Sequence, residues 1–246
     1  MKTTARTGTR IGVLVPFTNT NLEPDLMLMR PPNCSLHFQR TGGYKADEIP
    51  GSDQMAKLGE FDISHDLSMI SGARPDIVLY GCTSATLTHG TDFDRNLAKS
   101  IKLGSGAMSL TAAGSIAEAL QALDVQRIGF SSPYVASVNE QAVAFLKQNG
   151  VETVKCANVG FDLGCHGQGE MSTDQVYELA LKADDPNAEA IVLSCTDMRS
   201  VEVIERVEAA TGKPVVTSNQ AMVFCLCKRL SISLYQGLPG RLFSHL

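Results

Sequence analysis

The chain has 246 residues, of which 43% are hydrophobic and 19% charged, and carries a formal net charge of −5. This length suits one large α/β domain or two lobes of about 120 residues each, and the composition supports a sizeable core, which excludes disordered and collagen-like classes. An acidic balance without any Lys/Arg block excludes electrostatic capture of nucleic acid or anionic lipid, and no apolar run approaches the ~18–20 residues of a membrane span.

The amino terminus, Met1-Lys2-Thr3-Thr4-Ala5-Arg6, shows neither a long apolar leader nor a small-residue cleavage site, so a soluble, cytoplasmic protein is expected. Seven cysteines, at 34, 82, 156, 165, 195, 225 and 227, include no CxxC pair. Reduced thiols are therefore expected, most of them buried as small apolar residues, with neither a disulfide framework nor a zinc site. His37, His65, His89 and His245 form no ligand spacing, and there is no GxGxxG after a strand and no Walker A run. No metal and no cofactor is expected.

In chain order, a strand is predicted at 10–16, a second at 35–40, a helix over 53–71 and a strand at 76–81. Helical periodicity resumes over 109–123, where Ala112, Ile116, Ala119, Leu120 and Leu123 share one face. A strand at 127–132 follows, then a helix at 136–149 closed by Gly150 and a strand at 152–159. The remainder reads as a helix at 172–184 with Ser172-Thr173 as N-cap candidates, a strand at 190–194, a helix at 200–211 closed by Gly212, a strand at 214–217 and a helix at 220–232. Such alternation implies an α/β fold with parallel sheets covered on both faces.

The chain also repeats itself. Arg10-Ile11-Gly12 and Pro16 match Arg127-Ile128-Gly129 and Pro133, and Ile77-Val78-Leu79 with Cys82-Thr83 match Ile191-Val192-Leu193 with Cys195-Thr196. A Pro-Asp or Pro-Asn-Ala-Glu turn precedes the second match in each half. Two matched segments in the same order predict a duplicated unit: two pseudo-symmetric parallel-sheet α/β lobes, 1–115 and 116–246, with the active site between them. The chain crosses between them near 105–125, and residues near the carboxyl terminus are expected to pack back on the first lobe.

Ligands of open α/β sheets bind at the carboxyl ends of strands, where Cys82 and Cys195 both fall. A helix start at that point presents free N–H groups, which should draw a thiol pKa from ~8.5 toward neutrality. Related by the repeat, the two thiols would face each other across one cleft. That geometry suits chemistry on both faces of a small planar carbon centre.

Pro16-Phe17-Thr18-Asn19-Thr20 with Glu23-Pro24, Tyr80-Gly81-Cys82-Thr83-Ser84, Ser132-Pro133-Tyr134 and Leu193-Ser194-Cys195-Thr196 together resemble the Asp/Glu racemase superfamily, in the branch that holds maleate cis-trans isomerases and arylmalonate decarboxylases. The resemblance spans nearly the whole chain. It implies that Cys82 and Cys195 are the catalytic pair and that Asn19, Thr83, Ser84, Tyr134 and Thr196 hold substrate carboxylates. It also implies a homo-oligomer. Read from the residues alone, Asn19 serves equally as an Asx-turn residue, Tyr134 as a loop cap, and Thr83 and Thr196 as helix N-caps.

The resemblance departs at Gly164-Cys165-His166-Gly167-Gln168-Gly169, where maleate isomerases of the family carry an asparagine before a glycine. Cys165 and His166 are thereby expected near the substrate, with His166 or Gln168 as the nearest replacement donor. Substrate identity is expected to be read by the loops 41–52 and 160–170. The expected activity is a cofactor-independent two-cysteine isomerase, like maleate cis-trans isomerase, acting on a small carboxylic or dicarboxylic acid through an enediolate. The alternatives are an amino-acid or hydantoin racemase, an arylmalonate-type decarboxylase and, from another class, a non-catalytic binder of small anions.

Overall fold

The structure, a computed structural model, describes residues 8–43, 45, 48 and 51–246. Residues 1–6 of the amino-terminal expectation, and positions 44, 46, 47, 49 and 50 of the 41–52 loop, lie outside the described residues. The first half runs β1 (Thr9–Pro16), α1 (Leu22–Leu28), β2 (Cys34–Thr41), α2 (Ser52–Glu60), α3 (Ser64–Ser71), β3 (Ile77–Tyr80), α4 (Thr83–Leu87), α5 (Thr91–Ser105), β4 (Met108–Thr111) and α6 (Ala112–Ala122). The second runs β5 (Arg127–Ser131), α7 (Ala136–Gln148), β6 (Glu152–Ala157), α8 (Gly167–Glu170), α9 (Thr173–Lys182), β7 (Ala190–Leu193), α10 (Ile204–Thr211), β8 (Val215–Thr217) and α11 (Ser218–Leu230).

Two four-stranded parallel sheets result, in the orders β2-β1-β3-β4 and β6-β5-β7-β8. The second order is the first with each strand replaced by its repeat partner. β3 (IVLY) and β7 (AIVL) are buried along their whole length, as strands covered on both faces must be. Ser172 caps α9 in a full capping box, and Gly212 ends α10 in the left-handed conformation at φ 72°.

The repeated Arg-Ile-Gly triplet has a packing cause. The backbone N–H groups of Arg10 and Arg127 donate to the carboxylates of Asp76 (2.8 Å) and Glu189 (3.0 Å), the acids that precede β3 and β7. The glycines give way to the layer above: a Cβ on Gly12 would lie 2.9 Å from Ile70 Cγ1, and one on Gly129 would lie 2.0 Å from the Ala183 carbonyl oxygen. Gly129→Ala is therefore expected to cost about 1–3 kcal/mol and lower Tm by about 2–10 °C. Gly12→Ala, which meets side chains (Ile70 Cγ1 at 2.9 Å, Pro75 Cβ and Val78 Cγ2 at 3.4 Å) rather than backbone, should cost less, and equal calorimetric losses from the two would contradict this account.

Several elements differ from the sequence expectation. The helix expected over 53–71 is two helices, because Phe61 and Ile63 break it and Asp62 Oδ1 accepts from Ser64 N–H (2.9 Å) to start the next. The helix expected from 109 begins at Ala112, where Thr111 Oγ1 accepts from Gly114 N–H (3.0 Å), and the residues before it form the edge strand β4. α4 follows Cys82 where a helix start was expected, whereas α1, α5 and α8 were not foreseen. In α5 the periodic inward face carries Asp94 beside Leu97 and Ile101, so a buried carboxyl interrupts the apolar stripe.

α6 and α11 hold equivalent positions after β4 and β8 and pack against each other, each capped by a matched threonine, Thr111 and Thr217. Arg229 reaches back from α11 to Ser109 O (2.9 Å) and Glu118 (2.7 Å). This helix pair brings the carboxyl ends of the two sheets together.

Candidate active site

Each half contributes the loops after its two central strands, where the strand order reverses. From β1 and β3 come Pro16, Thr18, Asn19, Cys82, Thr83 and Ser84; from β5 and β7 come Tyr134, Cys195, Thr196 and Asp197. With Met55 and Leu58 of α2, Cys165 from the loop before α8 and Gln168 of α8, they line one small cavity of about 30 Å³. A larger concavity of about 670 Å³, walled by residues between 227 and 246, shares no lining residue with it.

Cys82 and Cys195 are 5% and 4% exposed. Burial pushes the Cys82 thiol up from its ordinary value, and the N–H groups of Ala85 and Ser84 at the start of α4 pull it down by less. The expected drift toward neutrality is thus corrected: a helix of five residues does not offset the loss of solvent. Cys195 is pushed up further, by burial first and then by the Asp197 carboxylate. No helix starts at Cys195; residues 196–198 form a turn. Its S–H donates to Gln168 Oε1 (3.3 Å), and its sulfur accepts from Asp197 N–H (3.4 Å).

Tyr134 lines the same cavity as both cysteines. Burial drives its hydroxyl pKa well up, and both thiols, Cys195 before Cys82, raise it further.

The polar residues do more than line the cavity. Asn19 Oδ1 accepts from the N–H groups of Asn21 (3.1 Å) and Leu22 (2.9 Å), while Nδ2 donates to Thr196 Oγ1 (3.0 Å). Asn19 thus makes the turn after β1 and also lines the cavity. Thr196 Oγ1 donates to Gly81 O (2.8 Å), and Thr83 Oγ1 donates to Ser218 Oγ (2.9 Å). Neither threonine caps a helix; each stitches its own cysteine loop to the opposite half. Ser84 Oγ donates to Met55 Sδ (2.8 Å).

In the departing loop, Cys165 and Gln168 reach the cavity and His166 does not. His166 is exposed at the amino-terminal end of α8, so its expected role beside substrate is corrected. α8 is pinned instead by Asn21, whose Nδ2 donates to Gly169 O (3.0 Å) and Asp197 O (2.7 Å). The sequence reading missed Thr18, Met55, Leu58 and Asp197. Asp197 directly follows the Cys195-Thr196 pair, so adjacency was the available signal; Met55 and Leu58 carry none, because helical spacing marks them only as core. Among the described residues, no three His, Cys, Asp or Glu side chains gather as a metal site, and no helix is long and apolar enough to cross a membrane.

The family model described as arylmalonate decarboxylase matches residues 11–243. The maleate isomerase of Nocardia farcinica is 27% identical over 246 residues, covering 95% of this chain and 94% of its own. A solved mutant of the Nocardia farcinica maleate cis-trans isomerase, with a covalently bound succinylcysteine intermediate, has a TM-score of 0.86 at 24% identity, covering 96% of this chain and 98% of that one. The maleate isomerase of Pseudomonas putida S16, solved with maleate, likewise has a TM-score of 0.86 at 21% identity over 96% and 98% of the two chains.

Proposed function

The chain belongs to the arylmalonate decarboxylase family, and we propose that within it this protein is a cofactor-independent cis-trans isomerase of a small cis-enedioate such as maleate. The lining of one cavity by Cys82 and Cys195, each just past the end of an equivalent central strand, carries this reading. Cys82 thiolate adds to one olefinic carbon, forming a C–S bond and moving the π pair toward the adjacent carboxylate as an enediolate. Cys195 S–H delivers a proton to the carbanionic carbon, leaving a succinyl thioether on Cys82. The former double bond, now single, rotates. Cys195 thiolate then takes a proton back, the double bond re-forms trans, and the C–S pair returns to Cys82.

Every proton and electron pair in this cycle comes from the substrate or the two thiols. Asn19 Nδ2, which keeps one N–H beside its bond to Thr196, and the Tyr134 hydroxyl are the donors that face the cavity for the carboxylates and the enediolate, and Thr83, Ser84 and Thr196 join them by turning their hydroxyls from Ser218, Met55 and Gly81 when substrate binds. The Nocardia farcinica enzyme's succinylcysteine intermediate supports the covalent route. We place the isomerase in the cytoplasm, where its seven free thiols stay reduced, as a homo-oligomer whose halves divide after α6, near residue 123, because the expected boundary at 115/116 would cut that helix; light scattering tests the assembly.

Proton NMR in D₂O tests the activity. Maleate should convert to the trans isomer, while D- and L-aspartate keep their α-protons. Exchange of aspartate with no olefin conversion would identify a racemase instead. Because burial holds both thiols above their ordinary values, kcat/KM should climb steadily from pH 7 through pH 8.5, about tenfold per unit at the steepest. A profile already flat at pH 7 would show that Cys82 ionises without difficulty and would remove the desolvation argument.

A further inference from the structure

We infer that Gln168 sets the protonation state of Cys195, acting as the acceptor that holds its proton in place and, once that proton has gone, as a donor to the sulfur. This rests on the isomerase reading only for the identity of the proton donor. Three partners surround the Cys195 sulfur. Asp197 N–H donates to it at 3.4 Å, the Tyr134 hydroxyl acts on it as a donor, and Gln168 Oε1, at 3.3 Å, accepts its S–H. The first two hydrogen bonds favour a charged sulfur, and the Gln168 bond favours the neutral one, as do burial and the Asp197 carboxylate.

An amide carries a donor as well as an acceptor. Rotation of the Gln168 side-chain amide by half a turn replaces Oε1 with Nε2–H, so that one side chain matches the thiol before proton transfer and the thiolate after it. Its backbone is well placed for this. Asn21 holds Gly169 O, and Gly169 lies so close to Asp197 Oδ2 and Thr20 Oγ1 that a Cβ there would fall 2.9 Å from each. The titratable groups around Cys195 are Cys82, Tyr134, Cys165 and Asp197.

The test is the pH dependence of iodoacetamide labelling at Cys195, read by peptide mass spectrometry, in wild type, Gln168→Met and Gln168→Glu. Removing the amide takes away its charge-assisted donation to the thiolate, the stronger of its two bonds, so the labelling midpoint should rise in the Met variant, and a permanent carboxylate acceptor should raise it further, by about one unit, in the Glu variant. With maleate, kcat should fall about tenfold in Gln168→Glu with KM nearly unchanged, and less in Gln168→Met. A midpoint unmoved in both variants overturns the proposal, as does a rise in KM alone, which would make Gln168 a substrate ligand. Labelling needs no substrate, so it decides the role of Gln168 even if maleate proves not to be turned over.

Discussion

Cys82→Ser is expected to lower maleate turnover by about 10³-fold or more while leaving the melting temperature close to wild type. The substitution changes one atom at a site that is 5% exposed, so packing is nearly conserved. The chemistry is not. Burial already holds the thiol above its ordinary value, and the N–H groups of Ser84 and Ala85 offset this only in part. A hydroxyl there would be far harder to ionise, and as a neutral group it is a poor nucleophile toward an olefin. Cys195→Ser should be similarly damaging, because the covalent adduct would lack its proton donor. NMR conversion assays on the purified variants check both. Wild-type-like kcat in Cys82→Ser together with loss in Cys195→Ser would point to one-thiol chemistry of the decarboxylase kind and sink the isomerase mechanism.

Asp25→Asn is expected to stabilise the protein at pH 8 and to leave it nearly unchanged at pH 4. Asp25 lies on α1, 7% exposed, and accepts from Asn219 Nδ2 at 2.7 Å; the same nitrogen donates to Thr196 O at 3.0 Å, directly behind the Cys195 loop. Loss of solvent raises its pKa from 3.8 to about 7; the Asn219 bond lowers it, nearby Glu202 and Asp197 raise it, and Arg199 lowers it. Below about pH 3 the carboxyl is protonated in both folded and unfolded chains, and even at pH 4 its burial carries little ionisation penalty. Between pH 4 and 7 the unfolded chain releases the proton first, so stability declines as pH rises through the folded value. The full difference is on the order of 4 kcal/mol. An asparagine keeps an oxygen for Asn219 and has no charge to desolvate. Urea titrations of wild type and variant at pH 4 and pH 8 measure the effect, and an equal difference at both pH values would show that Asp25 does not titrate between them.

Much of the architecture was legible because its determinants are local. Buried parallel strands such as Ile77–Tyr80 read as unbroken apolar runs, and Ser172 announces α9 through a bond to its own third residue. The repeat was legible for a different reason. Gly12 and Gly129 each lie under a crossing segment that leaves no room for a Cβ, and Cys82 and Cys195 each end a central strand, so one packing problem was solved twice with the same residues. α5 escaped because Asp94 occupies an inward position, where only the folded neighbours Thr111, Thr86 and Gly114 give a carboxyl anything to bond.

By itself, then, the order of residues determined two matched α/β halves, a thiol at each switch point and the loops that surround them, all of which depend on spacing along the chain. Tertiary structure decided how those parts act. Thr196 bonds Gly81, and Thr83 bonds Ser218, across more than a hundred residues of chain, and neither partner is written in the motif that contains the threonine. Gln168 reaches Cys195 while His166, two residues away, faces solvent, because Asn21 of the other half fixes how α8 sits. The direction of the thiol pKa shift was misjudged from the motif for the same reason. A helix start acts through the few N–H groups adjacent in sequence, whereas desolvation sums over every element that closes the cavity, and only the folded chain brings those elements together.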